Sequence, residues 1–198
     1  LPDGSIVEVE KGAINEDLKD IERKLTNLGF SKTEELNIQD DYFTNLKNDS
    51  LKNASYSDLV VTSVVLRCYT TLKSKTPTAM LIRKLENLDS HNSAIGEEKI
   101  IKELDDAVHS RKVMTNIGYT NWVTLKQKNI YYKNGEKTII LSHVENLGDF
   151  LEVEEYPSIS NLIDTEKIDI LKQYINSFNF KIGSDYSCKK VYMLYSNK

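Results

Sequence analysis

The sequence contains little cysteine, proline or glycine, and it has no long apolar segment. Its 198 residues include two cysteines, three prolines and eight glycines. Two cysteines cannot build a disulfide scaffold, which favours a reducing, cytoplasmic location. The apolar run around Leu59–Leu66 is interrupted by Thr62 and Ser63, well short of the ~20 residues of a membrane-spanning helix. We therefore expect no secretory signal and no membrane partner, and we interpret Leu1–Ser5 as an expression remnant.

The chain also lacks an excess of positive charge. The chain has 26 Lys and Arg against 30 Asp and Glu, for a formal net charge of −4. Binding a polynucleotide requires a basic surface, so we expect no nucleic-acid partner, although a local basic pocket for a small anion fits this balance. No Pro-rich or Gly/Ser-rich linker divides the chain, so we expect one domain over residues 1–198 with a buried core.

Hydrophobic periodicity divides the chain into strands and three helices. Apolar residues spaced by three and four predict helices over Asn15–Leu28, Glu97–Ile117 and Thr165–Phe178. Alternation and β-branched or aromatic residues predict eight strands. These strands span Ile6–Lys11, Ile38–Leu46, Asp58–Leu72, Ala79–Leu85, Trp122–Tyr132, Glu136–Val144, Phe150–Tyr156 and Tyr186–Tyr195. Asn134-Gly135 predicts a hairpin turn between two of them.

A weak internal repeat accompanies these elements. Leu28-Gly29-Phe30 ends the first predicted helix, and Ile117-Gly118-Tyr119 ends the second. Each is followed at the same distance by an aromatic pair, Tyr42-Phe43 or Tyr131-Tyr132. The repeat predicts two related halves, about 6–90 and 97–198, each with a helix and several antiparallel strands. The alternative is coincidence between two ordinary helix–strand transitions.

Three predicted strands carry paired charges on one face. The pairs are Glu8 with Glu10, Lys126 with Lys128, and Glu152 with Glu154, because residues i and i+2 of a strand point to the same side. A solvated sheet face explains any one pair. Three pairs also fit a closed barrel whose interior binds a small ligand. In that case the carboxylates would bind a hard divalent cation and the lysines phosphate oxygens.

One segment resembles a known family. Residues 126–154, KQKNIYYKNGEKTIILSHVENLGDFLEVE, are similar to the C-terminal half of the CYTH superfamily, the triphosphate tunnel enzymes, which include class IV adenylate cyclases and thiamine triphosphatases. Four shorter segments resemble other strands of that family. They are Glu8-Val9-Glu10, Gln39-Asp40-Asp41-Tyr42-Phe43, Leu66-Arg67 and Leu81–Lys84.

The resemblance implies a fold, a cofactor and a set of site residues. The implied fold is α+β, an antiparallel eight-stranded β-barrel with helices packed outside. The implied substrate is a nucleotide or other organic triphosphate, hydrolysed or cyclised with Mg²⁺ or Mn²⁺. The metal ligands carried over are Glu8, Glu10, Glu152 and Glu154. The phosphate-binding cations carried over are Arg67, Lys84, Lys126 and Lys128. The residues assigned to catalysis are Glu8, Glu10 and Lys126.

The chain departs from the family pattern at polar tunnel positions. Gly12 stands where the opening motif has Lys, Tyr69 where a second Arg is usual, and Ser142 where an Asp metal ligand is usual. No second E-x-E or R-x-E pair is visible around Ser93–Glu97, where many members of the family have one. A neutral serine hydroxyl cannot replace an anionic ligand.

Three hypotheses follow: a metal-dependent triphosphate enzyme, a degenerate module that binds a phosphorylated ligand without turnover, and a structural protein with solvated strand charges. An apolar outer sheet face would also suit a homodimer.

Overall fold

The protein is an α+β structure with eight strands and six α-helices among the described residues. The computed structural model describes residues 8–11, 16–74, 76–88, 94–183 and 190–196, and at positions 8–11, 48, 84–88 and 94–99 it describes the backbone alone. The strands are β1 (Glu8–Lys11), β2 (Ser31–Thr44), β3 (Ser63–Thr71), β4 (Thr78–Leu88), β5 (Ala94–Leu104), β6 (Thr120–Asn134), β7 (Lys137–Val144) and β8 (Gly148–Glu154). The α-helices are α1 (Leu18–Asn27), α2 (Asn48–Lys52), α3 (Tyr56–Thr62), α4 (Ala107–Asn116), α5 (Asp164–Ser177) and α6 (Lys190–Ser196). In the described part of the chain, no helix is long and apolar enough to cross a membrane.

The strands form one sheet in the order β1-β8-β7-β6-β2-β3-β4-β5. The ladders β1–β8, β8–β7, β7–β6, β3–β4 and β4–β5 are antiparallel. The expected α+β class and antiparallel sheet are therefore confirmed. Among the described residues no ladder joins β1 to β5, so the closed eight-stranded barrel is not confirmed.

The chain separates into two compact units. Unit 1 contains the described residues of 37–126 together with 190–196, and unit 2 those of 8–36 and 127–183. The division falls inside β2 and inside β6, so each of these strands contributes to both units.

Unit 2 has a large apolar core between its sheet and two helices. Ile21 and Leu25 of α1 and Leu171 and Ile175 of α5 are fully buried. They pack with sheet residues Tyr132, Ile139, Leu141, Leu151 and Val153. Because each fully buried aliphatic side chain contributes about 1.5–3 kcal/mol, this cluster is a main source of stability for unit 2.

Unit 1 has a smaller apolar cluster beneath α4. Met114 of α4 packs with Phe43 of β2 and Leu66 of β3. On the other side of the same strands, Trp122 packs edge-on against Tyr42 and donates its indole N–H to the Ser63 hydroxyl at 2.8 Å. Tyr195 of α6 also contacts the Trp122 ring.

Helices α1 and α4 begin and end in the same way. Each has ten residues and is capped by an aspartate, Asp17 or Asp106, whose side chain accepts a backbone N–H bond. Each closes on a glycine with positive φ, Gly29 at 86° and Gly118 at 94°. The next residues, Phe30 and Tyr119, donate their N–H groups back to Leu25 and Met114 at 2.9 and 3.0 Å. This is the Schellman closure, which the glycine makes accessible.

Three predicted elements are wrong in whole or in part. The strand predicted over Asp58–Leu72 begins inside helix α3, and only Ser63–Thr71 is strand β3. The segment predicted as one helix over Glu97–Ile117 is strand β5 followed by α4. Its helical spacing is overridden because β5 pairs with β4 along almost its whole length. The segment predicted as a strand over Tyr186–Tyr195 contains α6, and its first residues lie outside the described part. The spacing of Tyr192 and Tyr195 suits a helix whose aromatic side chains contact Tyr56 and Trp122.

Candidate functional site

The predicted carboxylate pairs meet in the β1–β8 ladder. Its register places Glu8 opposite Glu154 and Glu10 opposite Glu152. Directly opposite positions of an antiparallel pair are close neighbours on one face. The side chains of Glu152 and Glu154 are half-buried, whereas those of Glu8 and Glu10 lie outside the described side chains. The structure thus brings these four positions together.

Strand alternation assigns these carboxylates to the side of the unit 2 sheet away from its helices. Leu151 and Val153 point into the apolar core, so Glu152 and Glu154 point to the opposite side. We call this side the carboxylate face. It is defined by Asn129, Tyr131, Ile140, Ser142, Phe150, Glu152 and Glu154. Ile140 and Phe150 are fully buried, which distinguishes this face from the solvated sheet surface of the structural-protein hypothesis.

Lys128 lies on the other side of the sheet. It has the same strand parity as Ile130 and Tyr132, which pack on the helix-facing core, so all three point to that side. Its Nζ pairs with Glu35 at 2.8 Å. Hydrogen bonds from Lys128 and then Lys32 hold the pKa of Glu35 below its ordinary value. The structure does not bring Lys128 to Glu152 and Glu154, contrary to the expectation that they line one cavity.

The remaining predicted lysines lie in unit 1. Lys126 is exposed in the part of β6 that belongs to this unit. It shares its side of the strand with Thr124, which donates to Asp41 together with Arg111 of α4, so Lys126 lies on the helix side as well, contrary to the prediction. Position 84 lies in β4 opposite position 99 of β5, and the Lys84 side chain is outside the described side chains.

Arg67 is held by a buried carboxylate that sequence analysis did not assign to the site. Its Nε and Nη2 donate to Asp40 Oδ1 and Oδ2 at 2.7 and 2.6 Å. Asp40 is only 1% exposed. This two-point geometry is the one with which a guanidinium also binds phosphate. The Nε–Nη2 edge of Arg67, the predicted phosphate-binding cation, is therefore already hydrogen-bonded to Asp40.

The neighbouring Asp41 anchors α4 on the opposite side of β2. It accepts hydrogen bonds from Thr124 at 2.7 Å and from Arg111 Nε at 3.1 Å. These bonds to Asp41 raise the pKa of Arg111 above its ordinary value. Two consecutive aspartates beside Tyr42 and Phe43 in one strand were the sequence signal for both ion pairs, because an isolated buried carboxylate is costly.

Ser142, the residue in place of the usual Asp, lies on the carboxylate face with a second buried polar group. Ser142 is opposite Asn129 in the β6–β7 ladder. The two residues are 2% and 5% exposed. Within the described structure, neither Ser142 Oγ nor Asn129 Oδ1 has a hydrogen-bond partner. Two desolvated oxygens thus lie one strand and two strands away from the strand that carries Glu152.

The described side chains alone do not form a metal centre. No group of three His, Cys, Asp or Glu residues within that part of the structure could hold a metal ion. The predicted ligand set includes Glu8 and Glu10, whose side chains are not among those described. His143 pairs with Asp149 at 2.6 Å on the helix side of the sheet, away from the carboxylate face.

Comparison with known proteins adds evidence on the fold. No protein-family model matches the chain, and no curated protein matches it in sequence. Among solved structures, the PH1819 protein of Pyrococcus horikoshii is similar with a TM-score of 0.69 and 17% identity over 96% of this chain and 99% of that one. The PH1012 protein of the same organism has a TM-score of 0.62 and 19% identity, covering 92% and 96% of the two chains.

A candidate adenylate cyclase from Vibrio parahaemolyticus is also similar, with a TM-score of 0.64 and 15% identity over 98% of this chain and 99% of that one. At these identities the likeness concerns the fold, and this chain therefore shares its fold with a candidate adenylate cyclase over nearly the whole length of both proteins.

Proposed function

We propose that the protein binds Mg²⁺ or Mn²⁺ through Glu8, Glu10, Glu152 and Glu154 and acts on a nucleotide or other organic triphosphate beside it. In this proposal the sheet closes into a tunnel around the ligand. The observation that carries the proposal is the β1–β8 register, which opposes two carboxylate pairs position by position. The burial of Ile140 and Phe150 supports it, since the carboxylates then belong to a covered surface.

The donor atoms of this face suit a hard divalent cation. Such ions prefer carboxylate oxygens, and Mg²⁺ also takes part of its coordination from substrate phosphates. When bound, the ion would neutralise phosphate oxygens and polarise the reacting phosphoryl group. Glu152 and Glu154 are half-buried neighbours on one face, where a divalent cation would offset the repulsion between their charges.

The cations proposed for the triphosphate are Arg67 and Lys84. Asp40 fixes the orientation of the Arg67 guanidinium through two hydrogen bonds. A fixed guanidinium loses little entropy when it binds an anion. We leave Lys126 and Lys128 out of the set because both belong to the helix-facing side of β6, Lys126 with Thr124 and Lys128 with Glu35.

A second candidate function, binding without turnover, has its own support. Ser142 supplies no negative charge at the position of the usual Asp ligand. Asp40 already neutralises Arg67. Both features weaken the stabilisation of a developing charge, which is where catalysis of phosphoryl transfer resides.

Calorimetric titration with ATP, GTP, thiamine triphosphate and tripolyphosphate, each with and without Mg²⁺ or Mn²⁺, tests both candidates. Release of phosphate, pyrophosphate and cyclic nucleotide is followed in the same samples. Metal-dependent binding with turnover supports the enzyme, and the product separates a hydrolase from a cyclase. Binding without product supports the second candidate. The absence of metal-dependent binding would overturn both.

Strand β8 offers a matched control for the metal site. Glu152→Gln removes a carboxylate from the carboxylate face, whereas Asp149→Asn removes one from the same strand on the helix side. We expect at least about tenfold weaker Mn²⁺ binding for Glu152→Gln and unchanged binding for Asp149→Asn. Equal effects of the two substitutions would show that the carboxylate face is not the metal site.

A further inference from the structure

Asn129 and Ser142 are buried polar residues of the carboxylate face that face each other across the β6–β7 ladder. In the described part of the chain, Asn129 Oδ1 and Ser142 Oγ have no hydrogen-bond partner, not even each other. A buried oxygen without a partner costs free energy, and it marks a site where a group from outside the chain completes the bonding.

The internal repeat supplies a reference for this pair in unit 1. Phe30 and Tyr119 close helices α1 and α4 in the same way. Asp40 is the tenth residue after Phe30, and Asn129 is the tenth residue after Tyr119. Asn129 in β6 therefore corresponds to Asp40 in β2.

The partner of Asp40 corresponds to Ser142 in the same way. Strands β3 and β7 are the neighbours of β2 and β6. Arg67 of β3 is opposite Met80 of β4, and Ser142 of β7 is opposite Phe150 of β8.

The two pairs differ in how their acceptor is satisfied. In unit 1, Asp40 receives two N–H groups from Arg67 at 2.7 and 2.6 Å. In unit 2, the acceptor is kept as the amide oxygen of Asn129, but the long donor side chain is replaced by a serine, and no described group donates to that oxygen. The missing donor of unit 2 is thus at the position that the Arg67 guanidinium fills in unit 1.

We propose that Asn129 and Ser142 bind a hydroxyl group of the organic part of the triphosphate, so that the site selects the sugar of a nucleoside triphosphate. The inference rests on the proposed function and names its substrate class. A hydroxyl donates to Asn129 Oδ1 and accepts from the Ser142 hydroxyl, which satisfies both oxygens. Phosphate oxygens only accept and cannot satisfy Asn129, and an aromatic amino group only donates and leaves the Ser142 proton without an acceptor.

The position of the pair on the face suits such a ligand. Ser142 is opposite Phe150, and Glu152 follows two residues later on the same side of β8. Such diagonal neighbours lie about 7–8 Å apart. A sugar hydroxyl is a few bonds from the nearest phosphate, so one nucleotide can reach both the pair and a cation held at Glu152.

The first test is a calorimetric comparison of ATP, 2′-deoxy-ATP, 3′-deoxy-ATP and tripolyphosphate, each with Mn²⁺. We expect one of the two deoxynucleotides to bind the wild-type protein about three- to tenfold more weakly than ATP, which identifies the hydroxyl. Ser142→Ala and Asn129→Leu should abolish this difference. Equal affinities of the three nucleotides for the wild-type protein would overturn the inference.

Thermal unfolding of the ligand-free protein distinguishes a binding role from a structural one. Ser142→Ala removes an oxygen that has no partner, so the unfolding midpoint should be unchanged or higher. Ser63→Ala is the matched control, because the Ser63 hydroxyl is also buried but accepts from Trp122 and donates to the Leu59 carbonyl. This control should lower the midpoint and keep the difference between ATP and the deoxynucleotide. An equal fall for Ser142→Ala would show an ordered water or a structural bond at the pair and overturn the inference.

Titration with Mn²⁺ alone and with tripolyphosphate separates this inference from the proposed function. Loss of Mn²⁺ affinity in Ser142→Ala would make the pair metal ligands and overturn the hydroxyl site. Metal-dependent binding of tripolyphosphate without discrimination among the nucleotides would overturn the inference and leave the proposed function standing. The absence of metal-dependent binding of every one of these ligands would overturn both.

Discussion

Unit 1 and unit 2 place the same local motif, an Asp-capped ten-residue helix closed by glycine, on sheets stabilised in different ways. Unit 2 packs its helix-facing sheet residues into an apolar core with α1 and α5. Unit 1 has few buried apolar residues under α4 and uses two buried ion pairs, Asp40 with Arg67 and Asp41 with Arg111. Capping and closure therefore determine where a helix begins and ends, whereas its contribution to stability depends on what covers it.

The largest expected effect concerns the ion pairs of unit 1. Arg67→Met leaves the carboxylate of Asp40 buried without its partner, and we expect a loss of about 3–5 kcal/mol in the free energy of unfolding measured in urea. Arg111→Met should cost less, because the Arg111 side chain is more exposed. The double variant Asp40→Leu/Arg67→Met should recover most of the loss. If the double variant is as unstable as the single one, the cost comes from packing rather than from an unpaired charge.

The second prediction compares apolar side chains of the helices in the two units. Leu171→Ala removes a fully buried side chain of α5 and should cost about 2–5 kcal/mol in urea unfolding. Val113→Ala removes a half-exposed side chain of α4 and should cost less than about 0.5 kcal/mol. Similar costs for the two substitutions would mean that Val113 of α4 is packed as well as Leu171 of α5 is.

The third prediction distinguishes the two helix ends. Alanine at Gly29 or at Gly118 must adopt positive φ, which costs about 1–2 kcal/mol at either position. A Cβ at Gly118 meets no atom within 4 Å, but one at Gly29 approaches Asn134 Nδ2 to 3.2 Å. That nitrogen donates to the Leu28 carbonyl, so Gly29→Ala should shift the thermal midpoint further than Gly118→Ala. Equal shifts would show that Asn134 moves aside without loss.

The smallest effect concerns the hydrogen bonds that Glu35 accepts in unit 2. The folded-state pKa of Glu35 is lowered from 4.5 by its bonds to Lys128 and Lys32. A lowered folded pKa contributes stability above pH 4.5 that is lost as the pH falls through the folded value. We expect Glu35→Gln to flatten the fall in urea midpoint below pH 4.5. The neighbouring Glu34→Gln serves as the control and should retain the wild-type profile.

Several parts of the fold follow from local sequence. Gly29 was predicted as a helix C-terminal residue and has the positive φ that this role requires. Asn134-Gly135 was predicted as a hairpin turn, and β6 and β7 pair up to Asn134 and Lys137 on either side of it. The helix start predicted at Asn15 was less accurate, since Asp17 caps α1 and the helix begins at Leu18. These features depend on a few adjacent residues and their backbone preferences.

The candidate site was only partly predictable for the same reason. Strand parity identified Glu8, Glu10, Glu152 and Glu154 as pairs, and the β1–β8 register opposes them. Parity within one strand does not say which face meets the helices, so Lys128 was grouped with the carboxylates although it lies on the helix side with Glu35. Nor does parity reveal that Arg67 is bound by Asp40, a residue of a different strand.

The sequence by itself determined the glycine closures, the hairpin turn and the pairing of charges along single strands, because these depend on contacts within a few residues. Only the tertiary structure decided that Glu97–Leu104 is strand rather than helix, that Tyr192 and Tyr195 lie on a helix, and that the carboxylates and Lys128 occupy opposite faces. The reason is that ladder hydrogen bonds and burial join residues far apart in the chain, and their summed free energy exceeds the small propensities of individual residues.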